Sequence, residues 1–310
     1  MKEGFRQSMS WLHTWGGLIT GWILFFVFLT GTAGYGEIEL DRWMRPEKPL
    51  VAPEVAQADA LALGLKFAET TIPDARRWLL SPPGGREQPE LRYFIEDYPE
   101  TEGGSGKRFS GYLDPATGEK TQYRATGGGR LLYRMHYQLH YIPRTAAAWI
   151  VGFCAMAMFA ALVTGIIIHA RIFKDFFTFR PGTGHRNWLD AHNVVGVLSL
   201  PFHLMITYSG LMFLCYVYMA PVIAAEYGWG EDNRRAFTDM MFLGHPLDRD
   251  TRRAAPAPSA SLAPMLAEAD RLWGPGNIGF VDITRPGTTA ARVRIVEGTR
   301  HVAGERATLG

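Results

Sequence analysis

The chain has 310 residues, with 32 Lys and Arg against 30 Asp and Glu and a formal net charge of +2, a balance that excludes a nucleic-acid binder. Its two cysteines, Cys154 and Cys215, lie in apolar sequence with no CxxC, which excludes a thiol redox pair, a zinc ribbon and a covalent c-type haem attachment. Overall hydropathy is near neutral, as in a soluble protein, but the average hides three stretches almost free of charge.

The first stretch, Thr14 to Gly36, carries no Asp, Glu, Lys or Arg. A bilayer core about 30 Å thick takes roughly 20 helical residues, so this stretch predicts a transmembrane helix. Lys2 and Arg6 precede it, as in a signal peptide. The run is longer than a signal core, and no A-x-A site follows it, so it reads as a retained helix. Residues 52–69 then predict an amphipathic helix. Arg77–Leu80, Leu91–Asp97 and Arg108–Leu113 read as strands, with a turn at Asp114–Glu119. Thr126-Gly127-Gly128-Gly129-Arg130 reads as a flexible hinge; no Lys-Ser/Thr follows to make a phosphate loop. The second apolar stretch, Thr145 to Ala170, is broken only by His169, and the third runs from Ala191 to Ala225. Beyond it, Leu262–Leu272 predicts a helix, and Gly276–Asp282 and Ala290–Val296 predict strands. A helix followed by a short antiparallel sheet thus occurs twice, as an α+β module repeated outside the membrane.

Short loops set topology through Lys and Arg. Arg171, Lys174, Arg180 and Arg186 fill the connection between the second and third spans, and Lys2 and Arg6 the N-terminus. Both therefore read as cytoplasmic, and the long segments as external. The expected organisation is a first span in 1–36, an external module in 37–143, a second span in 144–170, a cytoplasmic loop in 171–190, a third span in 191–225 and a second external module in 226–310.

The chemistry-bearing residues are histidines. Nine are present, and His13, His140, His169, His192 and His203 lie in the spans or at their ends. Ionisable groups at membrane depth are costly and usually functional, and imidazole is a common axial ligand of a b-type haem iron. A repeat supports a common role: Thr30-Gly31 brings a glycine eighteen residues after His13, and Ser209-Gly210 does the same after His192. His13, His169 and His192 lie near the cytoplasmic face and His140 at the outer face. His140 and His169, 29 residues apart, would stand about 43 Å apart along one helix and cannot share a haem. His192 and His203, 11 residues apart, are separated by about 16 Å and about 20° of phase, as when one helix serves two stacked sites.

The preferred pairing is His13 with His192 on an inner haem. His140 would hold an outer haem with an unassigned partner, His203 being one option, and His169 competes for the inner one. His136 lies one turn before His140 and reads as a weaker candidate; His185, His245 and His301 read as loop residues. Arg134 and Arg144 flank His140 and could pair with propionates or serve as interface cations. Trp11, Trp15 and Trp22 read as an aromatic belt and packing. Gly16, Gly17, Gly21 and Gly165 read first as helix-packing glycines and second as room for a flat macrocycle. No nicotinamide or flavin motif is found, so electrons would come from a separate donor, a quinol or a cytoplasmic reductase.

The segments Trp11–Gly17 (WLHTWGG), Tyr137–Pro143 (YQLHYIP), His169–Gly182 (HARIFKDFFTFRPG), Trp188–Leu211 (WLDAHNVVGVLSLPFHLMITYSGL) and Tyr112–Glu119 (YLDPATGE) resemble the PepSY-associated transmembrane family, more closely its siderophore-reductase branch of ferrioxamine type. The resemblance implies a membrane all-α helical bundle, three spans here and four expected, with periplasmic α+β PepSY-like modules. It further implies an enzyme of the bacterial inner membrane, multi-pass with a cytoplasmic N-terminus, holding two b haems on His13, His140, His169, His192 and His203. Its partners would be a ferric siderophore, the electron donor and membrane lipid. The chain stops inside the second module, so this sequence departs from the family in lacking the fourth helix, whose histidine would partner His140, and the outer haem site is expected to be incomplete. The alternative is a non-enzymatic, membrane-anchored PepSY regulator or peptidase-binding protein, in which the histidines only pack.

Overall fold

The computed structural model describes residues 3–84, 88–100, 106–169, 182, 184–243, 254–298 and 308–309. They form two compact units, one from residues 1–41 and 127–247, the other from residues 42–126 and 248–310. The expectations placed on Arg171, Lys174, Arg180, His245 and His301 lie outside the described residues.

The first unit is helical. Helices α1 (Glu3–Gly34), α5 (Arg144–Ile168) and α6 (His185–Phe213) are each long and apolar enough to cross a membrane. Helix α2 (Glu37–Met44) follows α1, and α4 (Gly128–Gln138) precedes α5. Helix α1 packs along both α4 and α5, and α6 packs on α5. Hydroxyls inside the spans are satisfied within their own helices: Thr20 donates to Gly16 O at 2.8 Å, Thr30 to Phe26 O at 2.8 Å and Thr164 to Ala160 O at 2.7 Å. A hydroxyl in hydrocarbon has no water to turn to, which accounts for these back-bonds. The outward faces carry Trp11, Leu18, Trp22, Phe25, Leu198 and Phe202, as helices in lipid require.

The third apolar stretch is not one helix to Ala225. Helix α6 starts earlier, at His185, and ends at Phe213; α7 (Cys215–Tyr218), α8 (Ala220–Tyr227) and α9 (Glu231–Leu243) follow. At the break the Tyr218 hydroxyl donates to Leu211 O, a bond that no hydropathy pattern displays. The glycine triplet lies at the boundary between the two units, and its last two residues begin α4. A Cβ on Gly129 would overlap the backbone carbonyl of Glu37, and Gly128 has φ +61°. These glycines let the start of α4 dock on α2, where Arg130 and Glu37 approach to 3.4 Å.

The second unit is a seven-stranded antiparallel sheet in the order β4-β3-β2-β1-β5-β6-β7. Its strands are β1 (Arg77–Ser81), β2 (Leu91–Glu96), β3 (Arg108–Leu113), β4 (Lys120–Thr121), β5 (Ile278–Thr284), β6 (Arg292–Glu297) and β7 (Thr308–Leu309). Helices α3 (Gln57–Thr71) and α10 (Ala263–Trp273) cover one face. Alternate strand residues Trp78, Leu80, Leu91, Tyr93, Ile95, Val281, Ile283 and Ile295 enter that core with Leu61, Ala68, Leu266 and Trp273 of the helices. The two sequence modules are therefore halves of one sheet, joined where β1 pairs with β5 from Arg77↔Thr284 to Leu80↔Val281. Gln57 fastens the seam: its amide donates to Pro83 O and Ile278 O and accepts from Ile278 N, at 2.8, 3.1 and 2.9 Å.

Leu80 is fully buried at the centre of this core. A Leu80→Ala change is expected to destabilise the unit by roughly 2–5 kcal/mol, through lost burial and the cavity it leaves. Hydrogen exchange on the amides of β1 and β2 would read the loss, and unchanged protection would contradict this core assignment.

Candidate functional site

The helical unit brings histidines to two levels of α1. At the first level His13, half-buried on α1, points its Nδ1 at Ala161 O of α5, 2.8 Å away. A carbonyl only accepts, so Nδ1 carries the proton and Nε2 keeps its lone pair. Thr164 Oγ1 lies 3.3 Å from the same nitrogen. Gly165 makes room for the ring, since a Cβ there would stand 3.2 Å from His13 Cε1. His192 of α6 lies beside this ring, its centroid 6.1 Å from that of His13 and its plane turned by 77°. His192 makes no hydrogen bond among the described residues and is exposed. The pairing expected from depth alone, His13 with His192, is thus a contact in the fold.

At the second level His136, on α4, points Nδ1 at Val27 O of α1 at 2.8 Å, which again leaves Nε2 with its lone pair. Here Gly31 makes the room: a Cβ would lie 2.5 Å from His136 Nδ1. His203 of α6 sets its ring 5.1 Å from that of Phe28, the next residue of the same α1 turn, with the planes tilted by 55°. The Ser199 hydroxyl has one proton and gives it to Val195 O at 2.7 Å, so at 3.1 Å it accepts from His203 Nδ1. His203 therefore also keeps Nε2 free. The step of fourteen positions from His13 to Val27 sets the two levels about 21 Å apart along α1.

The remaining candidates stand apart from these levels. His140 does not open the second span. It lies exposed in the turn between α4 and α5, flanked by Leu139 and Tyr141 at φ +41° and +73°, with its ring 4.1 Å from that of Tyr141. His169 caps the far end of α5; its Nε2 is buried and has no partner among the described residues. Close by, Arg6 donates to Ile168 O at 2.8 Å, which satisfies an orphan carbonyl at the C-terminal end of α5. His136 is the residue that sequence reasoning undervalued. Its i, i+4 spacing to His140 was visible, but the seat at Gly31 depends on how α4 folds back along α1.

A family model, the PepSY-associated TM region, matches residues 10–306. The chain belongs to the PepSY-associated TM family. No curated protein and no solved structure matches it.

Whether the histidines of this PepSY-associated TM protein suit a haem can be tested on their own geometry. Ligating imidazoles usually donate their second nitrogen to a carbonyl or another acceptor, which fixes tautomer and ring orientation. His13, His136 and His203 all show that pattern. His13 and His192, with ring centroids 6.1 Å apart, are near enough that both would be available to hold one haem iron. Gly16, Gly17 and Gly21 of α1 and Gly196 of α6 meet no described atom within 4 Å of a built Cβ. Among the described residues no other helix packs on these four, whereas Gly31 and Gly165 seat histidine rings. The PepSY-associated TM donor set, all nitrogen with open helix surface beside it, fits a b-type haem.

Proposed function

We propose that this protein is a b-type dihaem oxidoreductase of the bacterial inner membrane, which moves electrons outward to reduce ferric siderophores in the periplasm. The observation that carries the reading is the His13–His192 pair, 6.1 Å between ring centroids with the His13 tautomer locked by Ala161 O. His13 and His192 are the inner ligand pair; the outer ligands are drawn from His136, His203 and His140. His169 and Arg6, at the far end of α5, offer a nitrogen and a guanidinium to the inner haem's polar edge. Haem at these sites supplies reversible one-electron transfer. The chain's own contribution is to hold a proton on Nδ1 of His13, His136 and His203, to keep each Nε2 available, and to surround both levels with apolar helix surface that excludes water.

The donor is a quinol or a cytoplasmic reductase, since the chain carries no flavin or nicotinamide motif. One electron converts a ferric chelate to a ferrous one. The softer, less charged Fe(II) holds hard oxygen ligands far less tightly and is released. The orientation rests on Lys2, Arg6, Arg171, Lys174, Arg180 and Arg186 as inside charges. Parity agrees with both long segments sharing one side, whichever it is: residues 42–126 and 254–298 build one sheet, and the two spans between them, α5 and α6, return the chain to the same side.

The test is pyridine haemochrome quantification on detergent-purified protein with a reduced-minus-oxidised spectrum. The expected result is b-type haem at about two per chain. A folded preparation devoid of haem after expression with a haem precursor would overturn the reading.

A further inference from the structure

The sheet has a second face, which neither α3 nor α10 covers. Its residues follow from the register. Cross-strand neighbours Arg108, Glu96, Arg77, Thr284 and Arg292 form one row from β3 to β6. Ser110, Phe94, Leu79, Asp282 and Arg294 form the next, and Arg92 follows between Ser81 and Tyr112. Neighbouring strands lie about 5 Å apart, so the row from Arg108 to Arg292 sets an arginine at every second strand.

The charges on this face do not cancel. Arg77 holds Asp282 with two bonds, at 2.7 and 2.8 Å, and Arg294 holds the same carboxylate at 3.0 Å. Arg108 reaches Glu96 at 3.5 Å, and Glu96 is also bonded by Arg76 at 2.8 Å. Each carboxylate is thus shared by two guanidinium groups. Arg92 and Arg292 are exposed and make no ion pair or hydrogen bond among the described residues. Both acids are buried while the spare arginines are not, so the field presented to solvent is positive. Between the charges lies an apolar strip of Leu79, Phe94 and Phe280, with the Arg294 guanidinium 5.7 Å from the Phe280 ring centroid. Arginines in planar, forked geometry beside aromatic rings suit an anion whose charged oxygens sit on flat, partly apolar rings.

We propose that this arginine face binds anionic ferric chelates, those whose carboxylate or catecholate oxygens leave the iron complex negatively charged, and discriminates against cationic trihydroxamate chelates. The inference rests on the ferric-chelate reading above and names the substrate class. The pre-paired residues Arg77 and Arg294 hold the surface rigid, and Arg92 and Arg292 supply the charge that is free to meet a ligand.

The probe is gallium(III) tris-catecholate, an anion of the same shape as the ferric complex that cannot be reduced, measured by calorimetry on the full chain and compared with the gallium(III) complex of a linear trihydroxamate that carries a pendant ammonium group and is therefore cationic. The paired variants are Arg92→Gln with Arg292→Gln, and Arg271→Gln on the outer surface of α10 as a control that removes charge elsewhere. The expected result is saturable binding of the anionic complex that weakens with salt. It should fall about tenfold or more in the double variant, persist in the control, and exceed binding of the cationic complex. Equal affinity of wild type and double variant, or tighter binding of the cationic complex, would overturn the proposal. Haem content is read separately on the same samples: no gallium binding by the wild-type protein with haem intact refutes the arginine face alone, and absence of haem refutes the reductase reading whatever binds the sheet.

Discussion

His192→Ala is expected to lower haem content from about two per chain to about one, with melting temperature and helix content near those of the parent. The ring is exposed and makes no hydrogen bond among the described residues, so its removal costs the fold little and affects mainly what the nitrogen binds. His13→Ala should cause the same haem loss, together with a moderate loss of stability, because it also deletes the bond to Ala161 O. Such a bond contributes about 0.5–1.5 kcal/mol. The conservative exchange separates ligation from packing: His192→Met should retain the haem and raise its midpoint potential, as a thioether ligand does. Spectra and redox titration of the three variants check this. An unchanged two-haem spectrum in both alanine variants would remove the pair from the inner site.

Gly31→Ala should weaken the protein where helix propensity alone predicts a gain. Alanine replaces glycine in a helix interior with a benefit approaching 1 kcal/mol. At Gly31 the new methyl would lie 2.5 Å from His136 Nδ1, so His136 must leave Val27 O or α4 must shift. Overpacking of this kind costs about 1–3 kcal/mol, and the sign of the effect reverses. Gly17→Ala is the control, because no described atom lies within 4 Å of its built Cβ; without haem it should be neutral or stabilising. Thermal melting of the two variants in detergent decides the matter. The outer haem should also be lost or shifted in Gly31→Ala, since His136 can no longer present Nε2 from a fixed tautomer. A Gly31→Ala protein as stable as Gly17→Ala, with an unaltered spectrum, would show that the seat at Gly31 does not position His136.

The spans, the strands and the inner histidine pair were legible because each rests on a local or one-dimensional signal. Apolar run length located α1 and α5, alternation located β1, β2, β3, β5 and β6 to within a few residues, and depth counted from span ends put His13 beside His192. What escaped was non-local or hydrogen-bonded. The end of α6 at Phe213 leaves no mark on hydropathy, because apolar sequence continues through α7 and α8. The glycine triplet at 127–129 reads as flexibility when the chain is linear and as close approach once α2 is opposite. His136 carried less weight than His140 for the same reason. Its seat, its carbonyl partner and its level are all supplied by α1, and the bond from its ring to Val27 O spans 109 positions of chain. The merging of two modules into one sheet depends on a β1–β5 pairing across 205 positions, beyond any local pattern.

That pairing has a consequence for synthesis. At translation rates of about 5–20 residues per second, the inner edge of β1 waits on the order of ten to forty seconds for β5, while two further spans are inserted. During that interval β1 is a bare strand edge beside apolar Trp78 and Leu80, a ready template for another chain. Nascent chains on neighbouring ribosomes would offer one another the same edge. A ribosome that stalls between α6 and β5 would leave a stub that clumps with its siblings, so quality control of this protein is expected to act on half-made copies more than on finished ones.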